Sequence, residues 1–93
     1  MSITIDDYRC KLVNRILFAQ SQEEIIRFVD AAIKGLQAHN VNKHIIARFV
    51  EKMLQHLAEY NPMNQDAQQW SNIKIARIKF NEVKRSLNQA QSH

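Results

Sequence analysis

At 93 residues the chain has room for one domain, and its apolar share of 45% and charged share of 24% are those of a folded protein rather than a disordered one. A net charge of +4 is modest for a nucleic-acid binder. The single cysteine, Cys10, excludes an internal disulfide, and one glycine and one proline leave too little punctuation for a turn-rich sheet.

The longest apolar run, Ile16-Leu17-Phe18-Ala19, is far short of a membrane span. The start Met1-Ser2-Ile3-Thr4-Ile5-Asp6 lacks the basic and apolar regions of a signal peptide. The expectation is a soluble protein of the cytoplasm, in a reducing compartment and without membrane contact.

Apolar residues return every three or four positions, which predicts an all-α, compact four-helix up-down bundle with helices over about 6–19, 22–39, 43–60 and 64–90. Residues 1–90 form one helical domain in this reading, and 91–93 a frayed tail.

The first helix carries Tyr8, Leu12, Ile16 and Ala19 on one face, behind a capping box of Thr4 and Asp7. Ser21-Gln22-Glu23-Glu24 is a second box, in which the serine hydroxyl accepts from a free backbone amide while Glu24 reaches back to the Ser21 amide. Ile25, Val29, Ala32 and Leu36 follow as the buried stripe of the second helix, widened by Ile26, Phe28 and Ile33. Gly35 lies within that helix and marks either close packing or a weak last turn, and Asn40 suits the left-handed residue that ends it.

Asn42 is placed to cap the third helix, with Val41 and Ile46 as a hydrophobic staple around the cap. Ile46, Phe49, Val50, Met53, Leu54, Leu57 and Tyr60 give it the broadest apolar face in the chain. The chain must turn at Asn61-Pro62, because proline disfavours α geometry in the residue before it. The fourth helix then begins either with Pro62 in its first position or with Asn64 as its cap. Ile73, Ala76, Phe80, Val83, Leu87 and Ala90 repeat along it at heptad spacing, which suits packing in a bundle or against a second copy.

Four features bear on function. Trp70 sits among amides, Gln69 included, about 60° from the Ile73 stripe. That position fits an anchor for another protein or a lid on the end of the bundle. Ile75 and Ile78 lie away from the heptad stripe on a charged face and need a cover, either a neighbouring helix or a partner, which makes a homodimer the expected assembly.

From Asn64 onward the chain holds five bases, Lys74, Arg77, Lys79, Lys84 and Arg85, against two acids, Asp66 and Glu82. That balance raises nucleic acid as an alternative partner, although no aromatic residues interleave as a stacking platform. Leu36 to Phe49, with Asn40-Val41-Asn42 as its turn and Val41, Ile46 and Phe49 in its buried positions, resembles a helix-turn-helix, which would point Asn42, Lys43, His44, Ala47 and Arg48 at the major groove. The chain departs from that motif at Leu36, where a small residue is wanted, and at His39, where an aliphatic one is.

Histidines 39, 44, 56 and 93 never pair at one-turn spacing, and Asp6-Asp7 and Glu23-Glu24 stand at helix starts, where acids favour the dipole. No metal or other cofactor is expected. His56 and Glu59 are the one acid-base combination on a shared helix face, without a nucleophile or phosphate cradle beside them. The sequence therefore points to a protein that binds rather than catalyses.

Overall fold

A computed structural model of the protein describes the backbone of residues 5–60 and 62–91 and the side chains of 5–60 and 63–87. Among those residues the chain forms four α-helices, α1 (Ile5–Leu17), α2 (Gln22–Ala38), α3 (Lys43–Ala58) and α4 (Ala67–Gln91), and a 3-10 turn over Pro62–Asn64. Thr4 of the first capping box, Asn61, the side chain of Ala90 and Ser92-His93 of the tail lie outside the described residues.

The ends of the helices follow from how their last polar groups are satisfied. α1 closes at Leu17, two residues before its apolar pattern runs out, because Ala19 bonds back only three residues, to Ile16, and Asn72 takes the carbonyls of Leu17 and Ala19. Ser21 caps α2 by accepting from the Glu24 amide at 3.2 Å. The return arm differs from expectation: Glu24 Oε1 accepts from the amide of Gln20 at 2.8 Å, one residue before Ser21.

α2 ends in a Schellman motif. Asn40 holds a left-handed φ of 58°, its amide bonds to Gln37, and that of Val41 bonds to Leu36. Asn42 then caps α3 by accepting from His44 at 2.8 Å, and the staple residues Val41 and Ile46 both join the core cluster. Single three-residue bonds from Glu59 to His56 and from Tyr60 to Leu57 tighten and end α3.

The start of α4 differs from both expected alternatives. Pro62 and Asn64 belong to the 3-10 turn, and Asp66 is the cap, with its Oδ1 accepting from the Gln69 amide at 2.7 Å and its carbonyl from Trp70. A carboxylate binds free amides more strongly than an amide oxygen does and also favours the positive end of the helix, so the later cap wins.

α2 and α4 both run antiparallel to α1. Tyr8 near the start of α1 lies against Gly35 near the end of α2, and Asn72 in the second turn of α4 meets the end of α1. α4 packs against α1, α2 and α3, and α1 likewise meets the other three, whereas α2 and α3 do not pack along each other. α1 and α4 thus form the central pair with α2 and α3 on opposite flanks, in a flattened body of 41 × 36 × 23 Å.

The apolar stripes meet in one cluster. Ile16, Ile25, Val29, Val50, Met53, Leu57, Ile73, Ala76 and Phe80 are all sealed from solvent. Burying a side chain of the size of Ile or Phe contributes roughly 1.5–3 kcal/mol, so this cluster supplies the dominant favourable term. Asn72 is the one buried polar side chain among the described residues.

Candidate functional site

α4 has two distinct faces. Its heptad stripe is consumed inside the protein: Ile73, Ala76 and Phe80 are buried, and Val83 and Leu87 pack on the core. That stripe is therefore closed to a second copy. The outward face carries Ser71, Lys74, Ile78, Asn81, Glu82 and Arg85, all exposed.

Ile75 and Ile78 separate. Ile75 is half-buried against the core, while Ile78 is 62% exposed. The cause is the position of α2. Ile75 shares its side of α4 with Lys79, one turn on, whose ammonium lies 3.4 Å from Asp30 of α2. Ile78 is rotated about 60° away from Ile75, toward solvent.

At the opposite end from the α2–α3 turn, Trp70 is half-buried against the core, and the Lys74 ammonium stands 5.6 Å from its ring centroid. The surrounding amides are partly structural. Gln68 Nε2 donates to Asn72 Oδ1 at 3.0 Å, leaving the Asn72 Nδ2 for the α1 carbonyls. Gln69 stays half-buried and, with Phe18, Gln20 and Asp66, lines an open depression of about 350 Å³.

Two apolar residues near this end escape a stripe-based reading of the sequence: Phe18 is 72% exposed and Met63 is 90% exposed. The signal for Phe18 was its angle, since it lies about 160° around α1 from Ile16, on the side away from the core stripe. Met63 had no signal beyond standing between a proline and an asparagine.

The basic residues do not converge on one surface. Lys84 lies 3.8 Å from Glu51 of α3, and Lys79 reaches Asp30 and, at 4.0 Å, Glu82. Lys74 leans on Trp70, while Arg77 and Arg85 are exposed. Lys43, His44 and Arg48 are exposed at the start of α3, where Glu51 intervenes between Arg48 and Lys84. Of the helix-turn-helix positions, Ile46 and Phe49 are buried, and Val41, where the motif places a buried aliphatic residue, is half-buried. Leu36 is buried and large, His39 is exposed, and α2 and α3 do not pack along each other.

His56 and Glu59 face an open cleft of about 400 Å³ between α1 and α3, together with Asp6, Arg9, Lys52 and Gln55. Arg9 Nη1 is 2.9 Å from Asp6 Oδ1, an ion-pair distance without the N–H alignment of a hydrogen bond, and its buried Nε has no hydrogen-bond partner among the described residues. The His56 ring lies parallel to Tyr60, with centroids 5.8 Å apart. Burial, with smaller contributions from the neighbouring Cys10 thiol and Glu59 carboxylate, pushes the Tyr60 hydroxyl above its ordinary pKa. Among the described residues no group of three or more His, Cys, Asp or Glu side chains could hold a metal ion.

No helix of the described residues is long and apolar enough to cross a membrane. Compared with known proteins, the chain matches no protein-family model, no curated protein and no solved structure.

Proposed function

We propose that the protein is a non-catalytic protein-interaction module that self-associates through the outer face of α4. The observation that carries this is the exposure of Ile78, a large aliphatic side chain in the middle of a 25-residue helix whose inner aliphatics are already used by the core. Single exposed aliphatic residues are common, but this one lies on a strip of exposed side chains that can order a helix-helix contact, with the neutral Asn81 beside it and Ser71 two turns before it. Phe18 and Gln69, which line one depression, with the half-buried Trp70 next to Gln69 in sequence, offer a second surface for contact with another protein.

Light scattering on the wild-type protein from low to high micromolar concentration tests the proposal. A mass that rises toward twice the monomer is expected, and a monomer throughout overturns self-association. Nucleic-acid binding would instead use Lys43, His44, Arg48, Lys74, Arg77, Lys84 and Arg85, but of these Lys84 stands beside Glu51 of α3 and Lys74 beside the Trp70 ring. Titration with generic duplex DNA and single-stranded RNA at two salt concentrations separates the alternatives. Micromolar binding that weakens steeply with salt supports phosphate contact, and no binding at low salt removes it.

A further inference from the structure

Resting on the self-association proposed above, the geometry points to a second copy of this chain docked antiparallel, α4 against α4, with Ile78 of both copies at the two-fold axis. Exposed residues on the outer face fall at 71, 74, 78, 82 and 85, spaced by three, four, four and three, so that they form one strip along the helix and are placed symmetrically about Ile78. In an antiparallel pair centred on Ile78, a residue n positions before it comes level with the residue n positions after it on the partner. Lys74 then stands level with Glu82 of the second copy, and Ser71 with Arg85.

The two-fold axis makes each relationship occur twice. The charges decide the direction. A parallel pair in the same register would bring Glu82 against Glu82, Arg85 against Arg85 and Lys74 against Lys74, three like-charge contacts along one short seam. The antiparallel pair replaces all three with two opposite-charge pairs and two serine-arginine neighbours. Lys74 and Glu82 sit on different shoulders of the seam, so their side chains must reach across it, which both have the length to do.

Both side chains are exposed. Among the described residues Lys74 meets the Trp70 ring at 5.6 Å, and Glu82 meets Lys79 at 4.0 Å. Ile75 adds its half-exposed edge beside the central Ile78 pair. An interface with so few apolar contacts is weak and sensitive to salt.

Air oxidation of two variants in a Cys10→Ser background tests the register. Ile78→Cys is expected to form a cross-linked dimer, because the two positions face each other at the axis. Ser71→Cys is expected to stay uncross-linked, since its two copies are about 21 Å apart along the helix axis in the antiparallel pair. Charge reversal supplies a second measurement that needs no cysteine. At low salt Lys74→Glu is expected to weaken association at least about tenfold, and adding Glu82→Lys to restore it to within about threefold.

Cross-linking of Ser71→Cys as fast as of Ile78→Cys, or a Lys74→Glu variant that associates as well as the wild type, overturns the antiparallel arrangement while leaving self-association standing. A wild type that is monomeric at high micromolar concentration overturns both.

Discussion

The side-chain amide of Asn72 donates to the carbonyl of Ala19 at 2.9 Å, joining residues 53 positions apart in the sequence. The same nitrogen serves Leu17 at 3.2 Å, and Gln68 completes the group by donating to its oxygen. A fully buried polar side chain thus closes the end of one helix from the flank of another, fixing how α4 lies on α1.

Replacing Asn72 tests that role. Asn72→Leu preserves size but leaves the two α1 carbonyls without this donor, and a loss of about 2–4 kcal/mol is expected in chemical denaturation. Asn72→Asp is expected to lose at least as much at neutral pH, because a carboxylate would face carbonyl oxygens. Unchanged stability in both variants would show that water replaces the amide without loss.

The cap of α4 gives a smaller effect. Asp66→Ala removes the acceptor for the Gln69 amide and is expected to lose about 1 kcal/mol, whereas Asn64→Ala is expected to change stability by less than about 0.5 kcal/mol. The reverse ranking would return the start of the helix to Asn64.

Gly35 is expected to accept a methyl group. Its φ is not positive, and an added Cβ would meet nothing closer than the Tyr8 hydroxyl at 4.0 Å, an ordinary contact. Gly35→Ala should raise stability by about 0.5–1 kcal/mol through helix propensity and a less flexible unfolded chain. A drop in melting temperature would instead reveal a close packing need at that position.

Tyr60 links stability to alkaline pH. Its pKa is raised in the folded protein above the 10.0 of an unfolded tyrosine, so as pH passes 10 the unfolded chain ionises first and gains relative to the fold. This contribution is fully present below pH 10 and is lost as pH rises through the folded pKa. Tyr60→Phe should show a shallower fall in stability than the wild type over that interval. Parallel curves for the two proteins would remove the linkage.

The helices were legible because their signals are local. Ser21, Asn40 and Asn42 each act on amides or backbone angles within a few residues, and the apolar stripes repeat at a period that solvent exclusion enforces. What escaped the sequence depends on which helix lies beside which. Asn72 resembles its amide neighbours until the carbonyls of Leu17 and Ala19 are brought to it. Ile75 and Ile78 look alike until α2 is placed beside one of them. Pro62 and Asn64 are the expected starts of α4, whereas Asp66, not among them, makes the cap with its charged acceptor.

The most direct test of a two-faced α4 is sedimentation equilibrium of Ile78→Glu beside the wild type, with thermal melts of both. The expected result is a monomeric variant whose melting temperature, at concentrations where the wild type is also monomeric, stays within a few degrees of it, since Ile78 supports no internal contact with the core cluster. A variant that still dimerises like the wild type, or one that unfolds, would contradict the assignment of this face to a second copy.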